Sequence, residues 1–237
     1  MTVRVPAAVS RAALPQNLRP LLLIAGSYLL LSTLLRLVLW FAFGRASGVP
    51  LGTLPGVLVL GFINDAIESI YLCAPLALFL LLLPQPGGTW SRYALTAGLW
   101  LMLFGMLFTT AAEYFFFEEF DSRFNLVAVD YLIYPTEVIG GIRDEYPVLP
   151  LVLVFALLAT VLVWRLRRWI VPPPTTLATP AAARGRRAAL GLAYLAALAV
   201  VGVSWRANAL AAFDNRVANE LAANGPAQFF SAFRSNH

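Results

Sequence analysis

The chain has 237 residues, of which 60% are hydrophobic and only 12% are charged. That balance lies far outside the range of a soluble domain and indicates a membrane protein. The net charge is +5, but every basic residue is an arginine, and the arginines cluster in short segments beside apolar runs. This pattern is typical of membrane topology signals and argues against a nucleic-acid partner. The single cysteine and the single histidine, Cys73 and the terminal His237, exclude a metal site built from those residue types.

The apolar runs predict five transmembrane helices. Residues 1–20 contain arginines and prolines without an acidic residue, and we expect them to form a cytoplasmic tail. The first apolar run, at 21–43, is too long for the roughly 7–15-residue core of a signal peptide. Residues 206–237 are polar enough to leave the membrane as an extracytoplasmic tail. The prediction is therefore an all-α transmembrane domain at 21–205, with spans at about 21–43, 56–83, 93–112, 148–164 and 188–205.

Three ionisable residues lie inside the first two predicted spans. Asp65 and Glu68 are three residues apart, so they share one helix face, and Arg36 lies on the preceding antiparallel helix. An ionisable group within a span is costly and faces protein or water rather than lipid. We predict a buried ion pair between Arg36 and either Asp65 or Glu68, which would hold the two helices together. Contact of these residues with a polar lipid head group is the alternative.

The composition of residues 113–147 differs from that of the rest of the chain, and we call this the acidic–aromatic segment. It holds eight of the 12 acidic residues, opposed by two arginines, with nine aromatic residues interleaved. Rings that face lipid and carboxylates that face water are expected at the membrane–water boundary. We predict an amphipathic juxtamembrane element between the third and fourth spans. Its candidate lipid or interface residues are Tyr114, Phe115, Phe116, Phe117, Glu118, Glu119, Phe120, Arg123, Asp130, Tyr131 and Tyr134.

The distribution of arginine predicts the orientation of the chain. With the N-terminus in the cytoplasm, the inner segments hold ten arginines and the two outer loops hold three. This is a strong positive-inside bias. Five spans then place the acidic–aromatic segment and the C-terminus on the extracytoplasmic side.

The carboxylates of the acidic–aromatic segment do not form a recognisable active site. They could supply a general acid–base pair or a divalent-metal site, but no histidine, no hydroxyl nucleophile in a recognisable setting and no glycine-rich phosphate cradle accompanies them. We therefore predict no catalytic residue, no metal site and no cofactor in this chain. Five spans without internal repeats are also a poor match for a transporter.

Two sets of motifs carry a resemblance to a known family. The runs EYFFFEEFxxRFN at 113–125, VAVDYLIY at 127–134, TEVIGxIR at 136–143 and YP at 146–147 resemble the membrane part of the lipoteichoic acid synthase-like family. Its members are phosphoglycerol transferases and sulfatase-like proteins of the alkaline phosphatase superfamily. The runs NELAxNG at 219–225 and FFSAFR at 229–234 resemble the segment that leads into their extracytoplasmic catalytic domain. Gly141 departs from the pattern, because an asparagine is more usual there.

The resemblance covers all five predicted spans but no catalytic domain. It implies a membrane anchor at the outer face of the bacterial cytoplasmic membrane, which presents a lipid to a domain that transfers phosphoglycerol or a related head group. The divalent metal and the nucleophile of that chemistry would belong to the catalytic domain. The implied partners are membrane lipids and a separately encoded sulfatase-like domain. The alternative is a stand-alone membrane protein that binds an envelope lipid or scaffolds a membrane complex.

Overall fold

The fold is that of a computed structural model, which describes residues 18–82, 89–133, 140–143, 145–170, 180–204 and 212–235. The secondary structure of these residues is entirely helical, which confirms the predicted all-α class. A π-helical turn (Trp40–Gly44) continues the first helix, and a 3-10 turn (Leu51–Thr53) precedes the second. The main helices are α1 (Arg19–Leu39), α2 (Leu54–Leu72), α3 (Ala74–Leu82), α4 (Thr89–Phe120), α5 (Leu126–Ile133), α6 (Val148–Ile170), α7 (Pro180–Ser204), α8 (Arg216–Ala222) and α9 (Gly225–Ser235).

Four helical segments are long and apolar enough to cross a membrane, and each overlaps one of the first four predicted spans. Most of their apolar residues are not buried inside the protein, so these residues are available to contact lipid. α1 packs against α2 and α4, and α4 packs against α6. The four segments are Arg19–Gly44, Leu51–Leu82, Thr89–Phe120 and Val148–Ile170.

The predicted fifth span corresponds to α7, whose apolar part, Ala188–Gly202, is shorter than the other four. α7 packs beside α2 and α3. Gly191 lies so close to Leu81 that a Cβ there would come within 2.7 Å of the leucine side chain, so the glycine permits the approach of the two helices. The hydroxyl of Tyr194 donates a hydrogen bond to the carbonyl of Ile70 on α2. α7 therefore belongs to the bundle, and its crossing of the membrane remains a prediction.

α4 extends beyond the end predicted for the third span. The prediction ended the span at residue 112, whereas α4 continues through the first part of the acidic–aromatic segment to Phe120. At 1.5 Å per residue, its 32 residues reach about 48 Å, compared with a hydrocarbon core of about 30 Å. Asp121 then adopts a positive φ of 49°, which ends the helix before α5. α4 is therefore about 18 Å longer than the apolar part of a bilayer.

The bundle has two chemically distinct ends. At one end, the guanidinium of Arg19 donates to the carbonyl of Trp169 over 3.1 Å and lies 5.5 Å from the centroid of its ring. We call this the arginine end, because Arg165, Arg167 and Arg168 are also there, in the last turns of α6. The opposite end contains the C-terminal turns of α1 and α4 and the acidic–aromatic segment, and we call it the acidic end.

The C-terminal helices α8 and α9 pack on the acidic end. α8 contacts α1, α2 and the π-helical turn, while α9 contacts α5. The side chain of Asn215 caps the start of α8 by accepting a hydrogen bond from the backbone N–H of Ala218 over 3.1 Å. The predicted tail is thus attached to the bundle over 212–235. The apolar face of α8 that makes this attachment consists of Val217, Ala218, Leu221 and Ala222, all buried.

Candidate functional site

Arg36 lies where α1, α2 and α8 meet, and it is fully buried at 0% exposure. Its Nη1 and Nη2 atoms donate to the two carboxylate oxygens of Asp65 over 2.9 and 3.2 Å. Its Nε donates to the carbonyl of Leu221 over 2.7 Å, and Nη2 also donates to the carbonyl of Ala223 over 3.3 Å. One guanidinium therefore neutralises a buried carboxylate and also binds the C-terminal carbonyls of α8.

The sequence left open whether Arg36 pairs with Asp65 or with Glu68, and in the structure its partner is Asp65. Its Oδ1 also accepts a hydrogen bond from Asn224 Nδ2 over 2.8 Å, and the same amide donates to the hydroxyl of Tyr28 over 2.6 Å. Glu68, one turn further along α2, lines a cavity instead. The ion pair thus joins the first two helices to the C-terminal segment, whereas the sequence predicted that it would join only the first two.

Arg123 makes a second buried contact with the C-terminal segment. Its side chain is 2% exposed and pairs with Glu113 on α4. Its Nε donates to the carbonyl of Glu220 over 3.2 Å, and Nη2 donates to that of Leu221 over 3.3 Å. The backbone N–H of Arg123 donates to Glu220 Oε2 over 3.0 Å. Gly225 completes the fit, because a Cβ at this position would overlap the Glu113 carboxylate.

We call Arg36, Asp65, Glu113 and Arg123 the tail clamp, because their side chains hold α8 on the bundle. A helix leaves its last carbonyls without intrahelical donors, and cations are favourable at that end. The two arginines of the clamp donate to the carbonyls of Glu220, Leu221 and Ala223 at the α8 terminus, and Asn64 Nδ2 donates to the carbonyl of Ala222 over 2.9 Å. The end of α8 is therefore satisfied by side chains rather than by water.

A cavity of about 1400 Å³ opens between α2, α4 and α6, with α5 and α9 at one end of it. α4 lines it from Leu101 to Phe120, which corresponds to about 28 Å along the helix axis. In the part that lies among the spans, its walls are mainly apolar and include Leu72, Met106 and Phe155. A long apolar cleft among membrane helices is suited to acyl chains.

Polar groups gather at the acidic end of this cavity. Glu119 on α4 and Glu145 before α6 flank Tyr131 on α5, and Arg234 reaches the lining from α9. Burial raises the pKa of the Tyr131 phenol, and the negative charges of Glu119 and Glu145 raise it further. The phenol is therefore neutral near pH 7 and can donate a hydrogen bond to a ligand. The cavity thus combines an apolar body with a polar mouth.

The aromatic rings of the acidic–aromatic segment divide between two environments. The prediction that they face lipid is wrong for Phe116 and Phe117, which are 7% and 0% exposed. Phe117 packs on Phe43 of the π-helical turn, at 5.6 Å between ring centroids. Phe115 and Phe120, like Phe116, line the cavity instead. The physical reason is that protein replaces lipid at both rings: Phe117 packs in a cluster with the apolar face of α8, and Phe116 packs on the rings of Phe120, Phe124 and Tyr131.

The remaining predicted interface residues are also distributed unevenly. Arg123 was expected at the interface but is buried in the tail clamp, because Glu113 and the carbonyls of α8 bind it. Glu118 and Asp130 are exposed, and Tyr114 packs on the same ring of Phe43. Tyr134 lies outside the described residues.

Sequence reasoning missed Glu113 and Asn224 as contributors to the site. Asn224 begins α9, and its Oδ1 accepts a hydrogen bond from the backbone N–H of Ala227 over 3.0 Å. The succession of asparagine, glycine and proline at 224–226 is a helix-start signal that would have predicted this cap. No comparable signal exists for Glu113, since only the fold brings it to Arg123.

Among the described residues, no group of three or more His, Cys, Asp or Glu side chains could hold a metal ion. The fold and its cavity define a helical multi-pass membrane protein with four helices long and apolar enough to cross a bilayer. Comparison with protein families, with curated proteins and with solved structures finds no match.

Proposed function

We propose that the chain is the membrane-anchoring and lipid-presenting part of a sulfatase-like head-group transferase. In this proposal the catalytic domain, with its divalent metal, belongs to the same or a neighbouring reading frame. The transferred group is phosphoglycerol or a related lipid head group, and the reaction takes place at the outer face of the bacterial cytoplasmic membrane.

The observation that carries the proposal is the cavity. Its mainly apolar walls run along α4 among the membrane helices, and the carboxylates of Glu119 and Glu145 lie at the acidic end. An amphipathic lipid has the same distribution of apolar and polar parts, so it can enter from the bilayer with its head group at the acidic end. A lipid held in this way has its scissile head group where an extramembrane domain can reach it.

The tail clamp supports the anchoring role. The two segments that carry the family resemblance contact each other directly, through the pair of Arg123 and Glu113 and through the bonds of Arg123 to Glu220 and Leu221. The clamp fixes α8, and α9 follows it directly and lines the cavity. A domain that continues from α9 would therefore start at a fixed position beside the lipid head group.

The charge distribution supports an orientation with the acidic end outward. The arginine end includes the arginines at the end of α6, which favour the cytoplasmic side. With α7 as a fifth span, the chain returns to the acidic end before α8, and this agrees with the position of α8 on that end. Five spans, an N-terminus inside and a C-terminal segment outside form one consistent proposal.

The cavity also suits the second candidate, a stand-alone protein that binds an envelope lipid without transferring its head group. The two candidates differ in the sequence that follows codon 237 and in adjacent reading frames. A sulfatase-like domain there, and transfer of a labelled head group by membranes that contain the whole locus, would favour the transferase. A locus without such a domain would favour the stand-alone protein.

A substitution that fills the cavity tests lipid presentation itself. Gly105 lines the cavity and has no atom within 4 Å of an added Cβ, so Gly105→Leu places a side chain in the space of the lipid. Gly98→Leu is the matched control, because Gly98 lies on the same helix, is equally free of near contacts and does not line the cavity. We expect Gly105→Leu to weaken phospholipid binding about tenfold, which corresponds to about 1.4 kcal/mol.

The measurement is the affinity of the detergent-solubilised chain for phospholipid, together with the amount of phospholipid that co-purifies from membranes. Both variants gain similar helix propensity, so a difference between them reports on the cavity. Equal binding by the two variants would contradict the proposal that the cavity holds the lipid.

A further inference from the structure

The charges that line the cavity distinguish between classes of lipid head group, and this inference rests on the lipid-presenting role proposed above. Among the described residues, four carboxylates and one guanidinium line the cavity. One of the four, Glu113, is neutralised by Arg123 in the tail clamp. Three carboxylates therefore remain against a single cation, and the cavity carries a negative excess.

These charges form two groups. Glu68 on α2 interacts electrostatically with Arg234 on α9, so this side of the cavity is nearly balanced. Glu119 and Glu145 form the second group: both act on Tyr131, and no lining cation among the described residues forms an ion pair with either of them. Among the described residues, the cavity therefore offers a ligand one cation, Arg234, and two carboxylates without a counter-charge in the lining, Glu119 and Glu145.

A lipid with a purely anionic head group fits this arrangement poorly. Its phosphate can bind Arg234, but it adds negative charge beside Glu119 and Glu145. A head group that contains both a phosphate and a cation can place its phosphate at Arg234 and its cation at Glu119 and Glu145. A primary ammonium has three N–H donors for carboxylate oxygens, whereas a quaternary ammonium has none.

We propose that the cavity binds a phospholipid whose head group carries a primary ammonium, with the phosphate at Arg234 and the ammonium at Glu119 and Glu145. Of the head groups that the proposed function allows, this selects a related group that carries an ammonium over phosphoglycerol. The acyl chains lie along the apolar walls that α4 and α6 provide.

The test compares phospholipids that have identical acyl chains and differ only in the head group. The purified full chain in mild detergent is titrated with phosphatidylethanolamine, phosphatidylcholine and phosphatidylglycerol, and binding is followed by native mass spectrometry. We expect phosphatidylethanolamine to bind about tenfold more tightly than the other two, as two partly screened charge contacts would give. Glycerophosphoethanolamine, which lacks the chains, should not compete at equal concentration.

Two variants assign the preference to residues. In the double variant Glu119→Gln/Glu145→Gln, the preference for phosphatidylethanolamine over phosphatidylglycerol should fall to about twofold or less. Arg234→Gln should weaken both lipids to a similar degree, because both contain the phosphate. Asp130→Asn is the control, since Asp130 is an exposed carboxylate at the same end that does not line the cavity, and it should leave all affinities unchanged.

The outcomes separate this inference from the proposed function. Equal or tighter binding of phosphatidylglycerol or phosphatidylcholine, or an unchanged preference in the double variant, overturns the assignment of the head group and leaves the lipid cavity standing. Competition by glycerophosphoethanolamine at equal concentration removes the role of the apolar walls. No binding of any phospholipid overturns both proposals.

Discussion

The tail clamp predicts a large loss of stability when Arg36 is replaced by methionine, a side chain of similar length without charge. Arg36 makes four hydrogen bonds, two to the carboxylate of Asp65 and two to carbonyls at the end of α8. After the substitution, Asp65 is still fully buried and retains the bond from Asn224, but it has lost its counter-charge. Removal of one partner of a buried ion pair costs about 3–5 kcal/mol, and we expect a loss of this size for Arg36→Met.

The double variant Arg36→Met/Asp65→Leu separates the ion pair from the other effects. The double variant leaves no unpaired charge. Its remaining loss of stability comes from the two carbonyls at the end of α8 and from Asn224, each of which loses a hydrogen-bond partner, and amounts to about 1–3 kcal/mol. The two single variants together should therefore cost at least about 2 kcal/mol more than the double variant.

Unfolding in detergent, followed by tryptophan fluorescence, measures these free energies. Tryptic cleavage after Arg216 measures release of the tail, because this exposed residue begins α8 and is protected only while α8 is attached. Arg45→Met is the control, since Arg45 is an exposed arginine at the same end, and it should change neither quantity. Single-variant losses that add up to that of the double variant within about 0.5 kcal/mol would refute the reasoning.

Two glycine substitutions test the same contacts from the opposite side. A Cβ at Gly61 would overlap the guanidinium of Arg36. Gly61→Ala should therefore destabilise the chain by about 1–3 kcal/mol and speed tryptic release of α8. Gly26→Ala is the control and should cost nothing, because Gly26 lies in open space on α1. A Cβ at Gly225 would overlap the carboxylate of Glu113, so Gly225→Ala should cost a similar amount; an unchanged midpoint of thermal unfolding in detergent would contradict this geometry.

The sequence predicted the parts of the fold that depend on long apolar runs and on the cost of charge in lipid. Arg36 and Asp65 interrupt two apolar runs that a short connection makes antiparallel, and each therefore required a partner on the neighbouring helix. The same reasoning could not choose between Asp65 and Glu68, because residues three apart share one helix face. The choice depends on Asn224, which approaches Asp65 from the C-terminal segment.

The packing of α8 could not be predicted from its local pattern. α8 has seven residues, which is too short for a helical periodicity to stand out, and its neighbours are polar. Its four buried residues are small or medium in size, so the average hydropathy of 206–237 indicates an exposed tail. Likewise, composition does not show which rings of the acidic–aromatic segment face lipid and which face protein, because both surroundings are apolar.

The continuation of α4 beyond residue 112 was not predicted, for a related physical reason. A carboxylate at Glu113 normally ends an apolar run, because an unpaired charge is costly in lipid. Here Arg123 neutralises it, and the same guanidinium binds the carbonyls of Glu220 and Leu221. The charge that ended the predicted span thus allows α4 to continue and attaches the C-terminal segment to it. Glu113 also lines the cavity, so Arg123 neutralises a charge in the cavity wall. Loss of Arg123 should therefore alter both the attachment of α8 and the charge that a bound lipid meets.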